Sequence, residues 1–177
     1  MNDIIDDRSQ QVVSSDSYDW LKLQANSTSC FVCGLHNPFG LKLKFYQRSS
    51  GEVISDYAVS AVYQGYPGVV HGGVVAAMLD EAAGRAFMGG DSPRFMYTAR
   101  LDLRFRQNVP VGQPIRLIGR KKTSKERTAT ASSFIYSSNG SLLAEAEALL
   151  IEVPESVTNS FDPDALGWRI YPEEERE

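Results

Sequence analysis

His71, Gly72, Gly73 and Asp80 fall in one nearly continuous apolar stretch, GVVHGGVVAAMLDEAAGRA, from Gly68 to Ala86. These residue types could do acid–base chemistry beside a developing oxyanion. An aspartate can act as a general base on a reacting group or its attacking water. Glycines at a helix start bare backbone N–H groups where the helix dipole is positive, a natural place to bind a developing oxyanion.

Spacing separates the two adjacent acids. Val74, Met78, Glu81 and Arg85 share a helical stripe, and Glu81 with Arg85 forms a favourable i,i+4 pair. Glu81 therefore reads as a charge-paired surface or interface residue. Asp80 shares its stripe with Gly73, Ala76, Ala77, Ala83, Gly84 and Phe87, mostly small residues that let a backbone or a ligand come close. It has no cation one turn away, and aspartate is a mediocre helix former. A neighbouring backbone group or hydroxyl could satisfy it. An ionisable group without an evident structural partner is nonetheless a site candidate.

Gly72 and Asp80 are eight residues apart, which is about 12 Å along a helix axis. A base and an oxyanion donor must each come within about 3 Å of one reacting group. One helix can hardly deliver both. If both act, two antiparallel copies of the helix must pair, each lending its start to the other's Asp80, and a homodimer with shared sites is expected.

The elements that would hold this helix are strands. LKLKFYQ from Leu41 alternates at period two, and EVISDYAVS follows after Ser49-Ser50-Gly51. Downstream come YTARLDLRFRQ, with Tyr97, Ala99, Leu101, Leu103 and Phe105 expected on one face, then QPIRLIGRKK, RTATASSFIYS and LLAEAEALLIEV. Asn139-Gly140 between the last two is a strong hairpin signal. GGDSPR from Gly89 is expected to close the helix. The order is two strands, one long helix that is apolar on most sides, then four strands. It predicts an α+β fold in which an antiparallel sheet of about six strands wraps the helix. Residues 1–28 read as a flexible segment, with SYDWLKLQA a short helix after Ser17. Residues 29–154 form the domain, and 155–177 an acidic tail too charged to pack.

At 177 residues the composition is that of an ordinary globular chain, with 42% hydrophobic and 23% charged residues. Its longest apolar run, Val74 to Leu79, is far short of a membrane span. The start MNDIIDDRSQQ does not resemble a secretory leader, so a cytoplasmic location is the default. Net charge is −4, yet Arg100 to Arg127 alone carries nine basic and two acidic residues. One basic segment in an acidic chain suggests an anionic, phosphate-bearing ligand, whereas nucleic-acid binding usually comes with a basic domain. Cys30, Cys33 and His36 offer three metal ligands where a structural zinc site needs four. They read as a loop entering the first strand, and no metal or cofactor is expected.

YPGVVHGGVVAAMLDEAAG, YTARLDLRFRQNVPVG and EAEALLIEV, together with CFVCGLHNPFGLKL, resemble the hotdog-fold acyl-CoA thioesterases. The closest type is the phenylacetate-degradation thioesterase-like branch of the 4-hydroxybenzoyl-CoA thioesterase superfamily. The resemblance implies that Asp80 is the catalytic carboxylate, as base or nucleophile. It implies that the N–H of Gly72 or Gly73 polarises the thioester carbonyl from the other subunit, and that His71 orients the site or contacts the thioester. Thr98 matches a hydroxyl placed near the attacking water. Where some relatives carry an asparagine six residues before the histidine, this chain has Gly65, and the adjacent Gln64 is the candidate replacement. Arg120, Lys121, Lys122, Lys125 and Arg127 would meet coenzyme A phosphates. The partners implied are an acyl-CoA substrate and a second copy of the chain, as a dimer or dimer of dimers, with neither nucleic acid nor membrane. A non-catalytic acyl-CoA-binding or sensing module and an enoyl-CoA hydratase or dehydratase are the alternatives on the same fold.

Overall fold

Alternation in the second half of the chain becomes four long strands, and the apolar stretch before them becomes the helix they enclose. The computed structural model describes residues 22–89, 94–160 and 162–171. In chain order the elements are β1 (Lys22–Leu23), β2 (Tyr46–Gln47), β3 (Val53–Ala58), a 3-10 turn (Ala61–Tyr63), β4 (Gln64–Tyr66), β5 (Val69–Val70) and α1 (Gly72–Arg85). There follow β6 (Met96–Phe105), β7 (Pro114–Ser124), β8 (Thr128–Ser137), β9 (Leu142–Glu152), α2 (Glu155–Thr158) and α3 (Pro163–Leu166). Seven strands pair antiparallel in the order β1-β2-β3-β7-β8-β9-β6, and β4 with β5 forms a separate small ribbon.

The sheet curls around α1, whose Val75, Met78, Leu79, Ala82 and Ala83 are buried against it. Val53, Ile115, Leu117, Ile135, Ala144 and Ala146 meet that face from the strands. Gly119 makes the fit possible: a Cβ there would collide with the carbonyl oxygen of Ala82, so β7 and α1 touch backbone to backbone. At Asn139-Gly140 the expected hairpin forms, with Gly140 at φ 83° and Ser137 N–H donating to Ser141 O.

Four expectations change. LKLKFYQ is not a strand along its length; only Tyr46–Gln47 joins the ladder. Leu41, Leu43 and Phe45 still turn inward, because Leu41 and Leu43 N–H groups bond to Phe31 and Val32 carbonyls in the loop before them. The helix ends at Arg85, ahead of Gly89, and residues 90–93 lie outside the described set.

The third change is a bulge in β6. Thr98 faces Leu150 and Arg100 faces Leu149, which leaves Ala99 as the extra residue. One inserted residue reverses the side-chain parity. Met96 and Thr98, opposite Glu152 and Leu150, therefore share the helix-facing side with Leu101 and Leu103, while Tyr97 and Ala99 do not.

The fourth concerns both ends of the chain. Lys22 and Leu23 form a strand where a short helix was expected; the rest of that segment, to residue 21, lies outside the described residues. Gln24 and Asn26 are buried, and the Asn26 amide bonds to the carbonyls of Cys33 and Leu43. After Pro154 the chain packs as well. Asn26 exchanges backbone bonds with Arg169, Thr28 N–H donates to Leu166 O, and Tyr171 is 2% exposed. Apolar Trp168 and Tyr171 outweigh the charge around them, since Trp168 lies against Phe95 and over Arg85. Residues 172–177, with the charged end, lie outside the described set.

Candidate active site

His71 caps α1. Its backbone is extended, and its Nδ1 accepts the Gly73 N–H at 3.0 Å. A ring that accepts at Nδ1 carries the proton of its neutral form on Nε2, leaving one N–H donor on an exposed side chain. The N–H groups of Val74 and Val75 go to His71 O. Among the described residues, only the Gly72 N–H of this first turn has no acceptor. The structure thus separates two glycines that the sequence left equivalent: Gly73 is spent on the cap and Gly72 is available. Gly72 lies beneath the Phe105 ring, on a cleft of about 340 Å³ lined also by Tyr66, Val69 and Asn108.

Asp80 sits two turns further along, half-buried. The Thr98 hydroxyl donates to its Oδ1 at 2.6 Å, a short charge-assisted bond that fixes the carboxylate. The bulge at Ala99 is what turns Thr98 inward to make this bond. Asp80 and Thr98 border a second cleft of about 260 Å³, walled by Met88, Phe95, Met96, Tyr97 and Val153. Within one chain the helix start and the carboxylate thus open onto different clefts, Phe105 marking one and Thr98 the other. β6 runs along both and is the edge of the sheet, with Tyr97 and Phe105 52% and 57% exposed.

Comparison with known proteins agrees with this architecture. The thioesterase superfamily family model matches residues 67–144, from the turn before α1 into β9. A crystal structure of a thioesterase superfamily protein superposes with a TM-score of 0.65 at 30% identity, covering 69% of this chain and 59% of that one. Residues 67–144 are thus similar to the thioesterase superfamily. The chain spans 59% of the length of that relative. A phenylacetic acid degradation-related protein from Ralstonia eutropha has a TM-score of 0.55 at 23% identity, covering 63% of this chain and 85% of that one. A Streptococcus mutans protein crystallised with acetyl-CoA has a TM-score of 0.54 at 15% identity, covering 73% and 88%. These two establish the fold alone, an antiparallel sheet rolled around one helix, the hotdog. No curated protein sequence matches the chain significantly.

The basic segment does not form the single patch that its sequence suggests. Arg116 is buried in a bidentate pair with Asp56, at 2.7 and 2.6 Å across β3 and β7. Arg100 pairs with Asp102, Arg106 with Glu145, Arg120 with Glu52, and Lys122 with Glu147. Lys121 points the other way, its Nζ 5.4 Å from the Phe87 ring. Lys125 and Arg127, at the β7–β8 turn, are exposed and make no ion pair among the described residues. Of the five candidates for phosphate contact, Lys125 keeps its charge open, while the charge of Arg127 also acts on Glu152.

Gln64 is exposed in β4 and accepts the Gly68 N–H at 3.4 Å, turned toward its own hairpin. Gly65 is the residue against His71: a Cβ there would lie 3.2 Å from the His71 Cα. A side chain at this position would crowd the histidine, so Gly65 leaves the ring room.

Two arginines of this region have partners that the sequence does not show. Arg94 donates to both carboxylate oxygens of Glu152, at 3.1 and 2.9 Å, and to the carbonyls of Lys125 and Glu126. It thereby ties the β7–β8 turn to the wall of the Asp80 cleft. Arg85 is 0% exposed: its Nε meets Glu81 at 2.8 Å, its Nη1 meets Ala25 O, and its guanidinium lies over Phe45 and Trp168. Only the proximity of Glu81 was visible in the sequence.

Proposed function

We propose that two copies of this chain form a hydrolase that cleaves acyl-CoA thioesters to the free acid and coenzyme A. The observation that carries this reading is the placement of Asp80 and Gly72 along β6, the edge strand of the sheet. Gly72 lies by Phe105 at one end of the strand, and Asp80 by Thr98 at the other. An antiparallel pairing of two β6 edges, centred near Leu101 and Asp102, sets Phe105 of each chain beside Thr98 of the other. Gly72 of one helix then faces Asp80 of its partner, the arrangement that their separation along one helix demands. The pairing also covers an edge strand of ten residues that would otherwise invite aggregation.

In that shared site the thioester carbonyl oxygen takes the Gly72 N–H, with the positive end of α1 behind it. Asp80 delivers the attack, either by removing a proton from water or by adding its own oxygen to the carbonyl carbon. In the first route the C–S bond breaks as water's oxygen bonds to the carbonyl carbon, and the proton taken by Asp80 passes to the departing thiolate. In the second the C–S bond breaks to leave an acyl–aspartyl anhydride. Water then hydrolyses it to the free acid and Asp80, its proton going to the thiolate. Thr98 holds the carboxylate in place and the His71 Nε2–H offers a second donor. Hydrolysis needs only water, so no metal or cofactor enters these steps. The acetyl-CoA held by the Streptococcus mutans protein supports coenzyme A as the carrier, and the exposed Lys125 and Arg127 suit its phosphates. The apolar wall of Met88, Phe95, Met96 and Tyr97 suits an aryl or medium aliphatic acyl group.

A panel of acyl-CoAs with a thiol-detecting dye tests the reading. Asp80→Asn is expected to lower kcat by about 10²–10⁴-fold while sedimentation still shows a dimer. Full turnover in that variant, or tight acyl-CoA binding by the native chain with no thiol released, would overturn it.

A further inference from the structure

Among the described residues, a second cluster of chemically able side chains includes Glu81, the neighbour of Asp80 in α1. Cys30 and Cys33 come from the loop after β1, and Glu81 from α1 fifty-one residues beyond Cys30. Their two sulfurs and a carboxylate oxygen all lie within 4.8 Å of one another. We propose that Cys30, Cys33 and Glu81 bind one divalent transition-metal ion of the zinc class, with water as the fourth ligand.

Three features beyond proximity support the site. The first is its size. Tetrahedral zinc with thiolate and carboxylate ligands has ligand-to-ligand edges of about 3.5–3.8 Å, and Cys30 Sγ already stands 3.8 Å from Glu81 Oε2.

The second is a preformed backbone. Cys30 Sγ accepts the N–H groups of Val32 at 3.3 Å and Cys33 at 3.5 Å, bonds that favour a thiolate. The turn that aims them is closed by Gly34 N–H on Cys30 O at 2.9 Å. Position 34 must be glycine, since a Cβ there would strike the Cys30 carbonyl.

The third is charge. Two thiolates, one carboxylate, the buried Arg85 and a divalent cation sum to zero in a place where an unbalanced charge is costly. Glu81 can give Oε2 to the ion and keep Oε1 on Arg85 Nε, where it now sits at 2.8 Å. Arg85 Nη2 is buried with no hydrogen-bond partner in the described structure, and the Cys33 sulfur beside this guanidinium becomes a strong acceptor once it is a thiolate. His36, the third ligand that the sequence suggests, is elsewhere: its exposed ring lies 5.9 Å from that of Tyr171.

The test uses the full chain, reduced and stripped with a chelator, and titrated with cobalt(II). The expected result is one equivalent bound, with thiolate-to-metal charge transfer in the near ultraviolet, intense tetrahedral bands in the visible, and displacement by zinc(II). Cys30→Ser and Cys33→Ser each remove most of the charge-transfer intensity. Glu81→Gln, which keeps an acceptor for Arg85, retains that band but weakens binding at least about tenfold. Circular dichroism checks that each variant is folded, and elemental analysis of the native chain gives the stoichiometry without any variant. No charge-transfer band in the native chain, or native affinity in Glu81→Gln, overturns the assignment. Thioesterase assays do not enter this test, so its outcome is independent of the proposed activity.

Discussion

At the scale of single residues, the first turn of α1 allows an unusually clean substitution. Gly72 is the first helical residue after an extended His71, the position where proline fits a helix best because its missing N–H has no helical partner. Gly72→Pro removes that N–H and adds a ring whose Cβ would lie 3.3 Å from Phe105, so Gly72→Ala, which adds the same Cβ and keeps the N–H, is its control. If that N–H is the oxyanion donor, kcat falls by about 10²–10³-fold while the melting temperature stays within a few degrees of the native value. Steady-state kinetics and a thermal scan on the same preparation check both halves. Thr98 admits a similar experiment. Valine keeps the shape of the side chain and loses the donor to Asp80; serine keeps the donor. A hydrogen bond to a charged group contributes about 1.5–3 kcal/mol, so Thr98→Val should cost about 10–100-fold in kcat. Thr98→Ser should restore most of it. Equal rates in both variants would make the 2.6 Å bond incidental to turnover.

At the scale of elements, β6 shows how much a single inserted residue decides. Deleting Ala99 regularises the ladder with β9 and moves Thr98 to the outer face. The expected product is a folded chain with the same strand content by circular dichroism and the kinetic defect of Thr98→Val. An intact rate would mean that Asp80 does not need its hydroxyl.

The same strand shows where sequence reading stops. The helix, the Asn139-Gly140 turn and the four long strands are legible because each is written in local periodicity or turn chemistry. The bulge is invisible to periodicity, because the residues from Tyr97 to Phe105 alternate whether or not the ladder slips. Only the partner residues Leu149 and Leu150 define it. Leu41–Phe45 misled for a related reason: its inward alternation is real, but the backbone bonds that would make it a strand go to a loop.

At the scale of the whole molecule, the proposed assembly has an arithmetic consequence. Asp80→Asn and Gly72→Pro each disable both shared sites of a homodimer. A mixed dimer of the two variants carries one doubly damaged site and one native site. Random reassortment of the two chains should therefore recover about a quarter of native activity. If each site were built from a single chain, mixing would recover none, so unfolding and refolding an equimolar mixture before assay separates the two geometries.

Asp80 and the helix start were recognisable from sequence because both lie in one short segment. The surroundings of Arg85 were not. Its neighbours Ala25, Phe45 and Trp168 are forty to eighty-three residues away, and only the folded chain brings them to one guanidinium.

That convergence has a topological corollary. Residues 26–28 and 166–169 are fastened to each other by backbone bonds over the last turn of α1, so the segment after β1 and the segment after α3 meet in one seam. Cutting either thread frees the other, and with it goes the aromatic lid that keeps water from a buried cation.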